Sequence, residues 1–571
     1  MLSLKVFYFK SKKLKGGKIL CLGLLLSMVL FSSCIKEEEL SPDVPLSYHE
    51  EKISSYGELF DVFWKVMDER YNYFYEQKRR DGMDWQEVYR KYSPKFRSLK
   101  SYSIEGYSDS EISSDSEKAA GYFREIISPV LDRHFYVDVY LPRLVSGGFV
   151  RTLHRFFGLS DSRGYYPFDL KYGYMQNRLG EDKITFGSGD GSSFSYLGGS
   201  LKSHSDIYYF TFNEFLMSET LRLDLSERYL SSESGNPLLL KEQDIDSNSD
   251  LQGISDPVFR SEVRDFTKGI LKEWDAFFGS SKVSRFNNEV GYFLSSEDFK
   301  PSLLSSTEEV SSSLSGLVRY GDFSTYNPIL RAESLSYIRW FMGRMSNHVQ
   351  YGYGLERFER DSRQIRSSSM FYQRFLNPLH RGEIKKLILD LRDNNGGAIV
   401  DFRYFVERMV SNPGVYAYQR TKEGSGRFSY TPWVGMHSSI HRYGVPGKLP
   451  IVVLTDSHSA SMSELSTLML KSQGGEVISV GDYSYGATAG LYPDPGAFNG
   501  GSQDFIGGVL RFNIPSMATK TISGEVIEGV GVKPDVYVSG PSVEELRMMR
   551  DSPQTFKDRV LNEAIRYLSS R

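Results

Sequence analysis

Two short segments place chemically useful residues where the backbone can help them. In Ile451–Glu464, IVVLTDSHSASMSE, an apolar run of strand type ends in a loop of small residues, and a helical pattern starts near Ser461. A serine there sits among the free N–H groups of a helix start, which stabilise negative charge. It could act as a nucleophile, the same N–H groups holding the oxyanion it creates. The letters equally suit plain N-capping by Ser459, Ser461 or Ser463, with Glu464 three residues after Ser461 completing a capping box. In Leu387–Gly397, LILDLRDNNGG, another apolar strand runs into an Asn-Asn-Gly-Gly turn. Glycines there either point N–H groups into a cavity, as an oxyanion hole requires, or simply close a turn.

The elements that must position these residues alternate in type. Strand Leu387–Leu391 leads through loop Arg392–Gly397 to a helix over Ile399–Val410. Strand Ile451–Thr455 leads through loop Asp456–Ala460 to a helix over Ser461–Gln473 and a strand over Val477–Val480. Strand–loop–helix units in series predict an α/β core. Upstream, Phe60, Phe63, Trp64, Met67, Tyr71 and Phe74 recur at helical spacing. Trp85, Val88 and Tyr89 start a second helix, 101–118 reads as a loop, and a third helix covers Ser116–Val130. Short strands with Gly-rich turns fill 135–213, and 226–256 reads as an exposed polar loop. Helical patterns return from Pro257 to about Tyr372, broken by a Ser-rich patch at 305–315.

Composition narrows the classes. At 571 residues the chain has room for about two to four domains. With 40% apolar and 25% charged residues it is neither wholly disordered nor a multi-span membrane protein. Residues 1–33 carry six Lys and no acid, so the body is more acidic than the net charge of -3 suggests, which argues against a nucleic-acid partner. Both cysteines, Cys21 and Cys34, lie near the start. A disulfide-stapled fold, a Cys-based zinc site and a cysteine nucleophile in the body are thereby excluded. The nine histidines show no His-Glu-x-x-His spacing, and no nucleotide loop of convincing form occurs; no metal or cofactor is expected.

The N-terminus reads as an address. Lysines 5 to 18 precede the 13-residue apolar run Ile19–Phe31, too short to span a bilayer comfortably, and Ser32-Ser33 lead to Cys34. This resembles a bacterial lipoprotein signal, with Cys34 the lipidated first residue and Phe31 replacing the usual Leu. An ordinary signal peptide or short anchor is the plainer alternative. The following Ile-Lys-Glu-Glu-Glu resembles the surface-export signal of Bacteroidetes lipoproteins, or is a solvated linker. The expected location is the cell envelope, on the outer membrane and open to surface exposure.

Together the two strand–loop segments resemble the tail-specific, or C-terminal processing, serine proteases of peptidase family S41, which include tricorn-like members. That pattern is Asp-Leu-Arg-x-Asn-x-Gly-Gly after a strand, then about 60 residues later Ser-Ala-Ser-Ala/Ser-Glu; here these are Asp390–Gly397 and Ser459–Glu464. Val480-Gly481-Asp482 and Glu528–Asp535 also match the pattern. The resemblance implies a crotonase/ClpP-like core, Ser461 as nucleophile, and an oxyanion hole from the N–H groups of Gly396 or Gly397 and of Met462. Ser–Lys members carry a Lys where this chain has Ala487. The tricorn-like branch uses a His from an Asp-Gly-His motif instead. Leu131-Asp132-Arg133-His134 stands at that place with Arg133 for the Gly, making His134 the candidate base and Glu528 its partner. His134 also reads as a polar turn residue and Glu528 as an exposed turn acid. His458, three residues before Ser461, is expected to be solvated; Lys471 and Lys520 could serve only in unusual geometry.

The implied organisation is a signal peptide over 1–33, a linker over 34–48 and a helical domain over 49–134. A β-rich region follows over 135–206, one reading of which is a divergent PDZ-like module. The peptidase core covers 207–545 with a helical insertion at about 257–372, and a C-terminal helix covers 546–571. The implied activity is peptide-bond hydrolysis on peptides or unfolded chains by a protein held to the membrane through lipid on Cys34. The alternative is a catalytically inactive peptide-binding lipoprotein on the same fold. No oligomeric state follows.

Overall fold

A computed structural model describes residues 52–571 apart from 146–147, 188, 190–193, 425, 489, 491–504 and 516. The signal segment and Cys34 lie outside the described residues. No helix among those described is long and apolar enough to cross a membrane.

The chain is mixed α/β with a helical N-terminal region. Helices Tyr56–Arg70, Phe74–Asp81, Trp85–Ser98 and Asp109–Ile127 open it. The last begins earlier than expected, inside the Ser- and acid-rich stretch, because Ser108 and Glu111 cap each other's backbone there. These helices do not form a core of their own. Phe63 stacks on Phe512 at 6.0 Å and meets Phe123 edge-on at 5.2 Å. Phe512 belongs to an antiparallel sheet ordered Phe505–Ile506, Leu510–Asn513, Tyr136–Val145, Gly148–Phe157.

The seven-stranded core sheet runs Val536–Tyr537, Val477–Gly481, Ile451–Thr455, Lys386–Asp390, His204–Phe212, Tyr196–Leu201, Ile184–Phe186. Its first five strands are parallel and the last two antiparallel. Both faces are covered, which is why the central strands read as unbroken apolar runs. Leu387 and Leu389 face the helical layer, while Ile388, on the other face, packs with the C-terminal helix Arg559–Ser569. The β-rich stretch 135–206 is therefore not one unit. Its first hairpin joins the helical region, and its later strands extend the core sheet through register pairs such as Tyr196 with Phe212.

Three other expectations change. The Ser-rich patch is helix Pro301–Ser315, where Thr307, Ser311 and Ser313 return their hydroxyls to carbonyls four residues back and Leu303, Val310 and Leu314 are buried. Segment 226–256 buries Leu230, Leu240, Ile245, Leu251 and Ile254 and contains two short helices. The helix expected over 399–410 is two short turns, Asp401–Tyr404 and Val406–Met409.

Candidate active site

Strand Ile451–Thr455 ends in a tightly bonded loop. Asp456 accepts the N–H groups of Tyr166 (2.8 Å), Asp393 (3.0 Å) and His458 (3.0 Å). Ser459 Oγ accepts the Asp456 N–H at 2.9 Å and donates to the Leu391 carbonyl at 2.8 Å. Ser463 Oγ lies 2.7 Å from both the carbonyl and Oδ1 of Asn394. The outer serines of the triplet thus serve structure. Ser461, which immediately precedes helix Met462–Lys471, differs: its backbone sits at φ 55°, ψ −113°, and its side chain makes no capping bond. A non-glycine residue there is strained, and such strain concentrates at functional sites.

The Asn-Asn-Gly-Gly turn lies against Ser461. A Cβ on Gly396 would stand 2.6 Å from Ser461 Cβ and 2.8 Å from Met462 N, so only glycine fits at its φ of +92°. Of the two glycines proposed as oxyanion donors, Gly396 gives its N–H to Asn394 Oδ1 at 3.0 Å. Gly396 is thereby spent within the turn. The N–H groups of Gly397 and Met462 have no acceptor among the described residues. The turn itself is held by Asn394, whose Nδ2 donates to the Phe212 carbonyl at 2.8 Å.

Glu464 is fully buried and completes only half of a capping box, accepting the Ser461 N–H at 3.0 Å. It also accepts the N–H groups of Gly486 (2.7 Å) and Ala487 (2.8 Å) and the Ser484 hydroxyl. Burial pushes its carboxyl up against the pull of these donors. The next residue, Thr488, gives its N–H to Glu528 at 2.9 Å. The loop that carries Ala487 thus ties together the acid under Ser461 and the acid beside His134.

Glu528 is fully buried, not an exposed turn acid, and accepts the Arg133 N–H at 3.1 Å. Asp132, Glu528 and His134 bring one donor atom each to within 4.8 Å of one another. Asp132 Oδ1 accepts the N–H groups of His134 (2.9 Å) and Phe135 (3.1 Å), while its Oδ2 and His134 Nδ1 have no donor or acceptor among the described residues. With the Glu528 oxygens and Asp132 Oδ1 already taken by N–H donors, the group reads as an acid–base cluster, not a cation cage. Burial pushes His134 down to about 4, so its imidazole is neutral near pH 7. Burial pushes Asp132 up to about 7, and burial together with the charge of Asp132 raises Glu528 further.

The Asp132 shift has a measurable consequence. An unfolded Asp ionises near pH 4. From about pH 4 to about 7 the unfolded chain has lost a proton that the folded protein keeps, so stability falls as pH rises through that window. Asp132→Asn removes this contribution. Urea midpoints at pH 5 and pH 8 are expected to differ less in the variant than in the wild type.

His134 lines a cavity of about 320 Å³ together with Asn395, His458, Ala460, Tyr485 and Ala487. Two of these residues, Ala460 and His458, belong to the loop that leads into Ser461. His458 is not simply solvated: its Nδ1 lies 3.1 Å from Asp393 Oδ1 and its ring stacks on Tyr165. The two lysine alternatives are engaged elsewhere, Lys471 with Asp535 at 3.1 Å and Lys520 over the Trp433 ring. The buried placement of Asp132 beside His134 and the anchoring of His458 by Asp393 and Tyr165 are findings of the structure alone. The only local signals for them were the Asp two residues before His134 and the Asp immediately after Arg392.

The chain has similarities to known proteins. The chain is similar to a candidate peptidase from Parabacteroides merdae at 15% identity, with 90% of this chain and 97% of that one covered and a TM-score of 0.43. It is also similar to mature CPAF complexed with lactacystin, at 9% identity, 90% and 99% coverage and a TM-score of 0.34. A lipoprotein from Streptococcus agalactiae is similar at 12% identity, 91% and 98% coverage and a TM-score of 0.32. No curated protein matches. The family model for peptidase family S41 matches residues 355–538, the stretch that holds the Asn-Asn-Gly-Gly turn, Ser461, Glu464 and Glu528. Over residues 355–538 this chain is thus similar to peptidase family S41, the family its motifs resemble.

Proposed function

We propose that the protein is a lipid-anchored serine peptidase in which Ser461 is the nucleophile and His134 the base. The observation that carries this reading is the strained backbone of Ser461 at a helix start, beside two N–H groups with no acceptor among the described residues. Ser461 Oγ attacks the peptide carbonyl while His134 takes its proton. The N–H groups of Gly397 and Met462 hold the oxyanion. Collapse releases the amine, which leaves with the proton from His134, and an acyl-Ser461 ester remains. Water then attacks the ester, its proton passing to His134 and on to the departing Ser461 Oγ. Asp132, the readier of the two buried acids to ionise, offsets the positive charge that His134 carries in between. Lipid on Cys34 would hold the enzyme at the outer membrane, facing peptides or unfolded chain ends in or outside the envelope.

A second reading, peptide capture without hydrolysis, draws on Ala487 at the position of the family's lysine. Labelling separates the two. Full-length protein in detergent is treated with a fluorophosphonate and the adduct mapped by mass spectrometry. A covalent adduct on Ser461 of the wild type, at least about 100-fold slower to form in His134→Ala, is expected for the peptidase. A folded wild type that takes no label favours capture.

A further inference from the structure

His458 and Asp393 form a second imidazole–carboxylate couple on the wall of the cavity that His134 lines. Three contacts fix the imidazole. Nδ1 is 3.1 Å from Asp393 Oδ1, the ring lies 3.4 Å from the Tyr165 ring, centroid to centroid, and the main-chain N–H donates to Asp456 Oδ1 at 3.0 Å. Asp393 is itself anchored, its Oδ2 accepting the Phe168 N–H at 2.7 Å and its N–H donating to Asp456 at 3.0 Å. Its backbone is held at φ 52°, so Asp393 and Ser461 are two of five described non-glycine residues with positive φ. Strain of this kind persists only where the surroundings enforce it. A solvated loop histidine requires none of these restraints, yet His458 keeps 36% of its side chain open.

The chemistry of the couple says what the open edge offers. A carboxylate only accepts, so whenever the imidazole is neutral Nδ1 carries the proton and Nε2 keeps its lone pair. The remaining lining offers a largely apolar wall, Ala460, Ala487 and the Tyr485 ring, with Asn395 its other polar side chain besides the two histidines. A pocket of this kind binds by apolar contact and uses its few polar groups to fix orientation.

We infer that His458 is a substrate-contacting residue of the Ser461 site, its Nε2 accepting a hydrogen bond from an N–H of the bound peptide. This rests on the reading of Ser461 and His134 given above. His458 moves no proton in the reaction; it sets where the chain lies when Ser461 attacks, and Asp393 and Tyr165 hold it there.

The test compares full-length His458→Phe, His458→Gln and His134→Ala with the wild type, each first checked for a cooperative thermal transition. Phe keeps a ring to stack on Tyr165 and deletes both ring nitrogens; Gln restores an acceptor. Readouts are fluorophosphonate labelling of Ser461 and steady-state cleavage of a quenched fluorescent peptide chosen from a library for wild-type turnover. His458→Phe is expected to label within about twofold of wild type and to raise KM about tenfold with kcat little changed, the weight of one hydrogen bond. His458→Gln is expected to recover most of that loss. An unchanged KM in His458→Phe overturns the inference. Lost labelling in His458→Phe with labelling retained in His134→Ala makes His458 the base, overturning both this inference and the role of His134. A folded wild type that neither labels nor cleaves removes the peptidase reading and this inference with it.

Discussion

Ser461→Ala is expected to lower peptide cleavage by about 10⁴-fold or more, because removing a nucleophile leaves only binding and the oxyanion donors. The fold should not suffer. The Ser461 side chain makes no capping bond, and the main-chain bonds that start helix Met462–Lys471 use its carbonyl and N–H, which alanine retains. Thermal stability is therefore expected to stay within about 0.5 kcal/mol of wild type. Ser461→Gly sharpens the test. At φ 55°, ψ −113° glycine pays no steric cost, so this variant should be equally inactive and more stable by about 1 kcal/mol. A stabilised, inactive glycine variant would show that the strain is kept for the hydroxyl it presents. Full activity in either variant would remove Ser461 from the chemistry.

Asp558→Ala is expected to be the most damaging substitution outside the site, costing about 3 to 5 kcal/mol. Arg392 and Asp558 are both fully buried, and two parallel bonds join them at 3.0 and 2.8 Å. On its other side Arg392 holds Asp390 at 2.9 and 2.6 Å, and Lys171, also buried, lies 3.3 Å from Asp390. Two cations and two anions balance in the buried interior. The Arg392 and Lys171 charges hold the Asp390 carboxyl far below the usual carboxylate range, although burial alone would raise it. Loss of Asp558 leaves an uncompensated buried cation. It also uncaps helix Arg559–Ser569, whose Leu561 N–H the Asp558 carboxylate accepts at 3.0 Å. Asp558→Asn keeps an acceptor for that N–H and removes the charge, so its loss should fall between wild type and alanine. Urea unfolding of the three proteins measures the series, and equal loss in both variants would mean that the charge is irrelevant. The cluster matters to the site because Arg392 directly precedes Asp393, the anchor of His458, and the Asn394–Gly397 turn against Ser461.

Much of the core could be read locally. A strand such as Ile451–Thr455, buried on both faces, announces itself by an unbroken apolar run, and the residue types around Ser461 require a small-residue turn into a helix. The helix over Pro301–Ser315 was missed because serine is a poor helix former when counted alone. Here the hydroxyls bond back to the helix's own carbonyls and tertiary burial of Leu303, Val310 and Leu314 stabilises it. The 135–206 stretch misled for a related reason: strand type is local, but which sheet a strand joins depends on its partner. Phe512 enters the helical region's core from about 450 residues downstream of Phe63, on which it stacks.

The sequence by itself determined the α/β alternation, the serine at a helix start and the Asn-Asn-Gly-Gly turn, since these depend on neighbours within a few residues. Only the tertiary structure decided that Gly396 spends its N–H on Asn394 and that Asp132 and Glu528, almost 400 positions apart, are buried together beside His134. It alone turned His458 from an expected solvated loop residue into one fixed by Asp393 and Tyr165. Those outcomes follow from burial and from the satisfaction of hydrogen bonds across distant segments, which the order of residues along the chain does not encode locally.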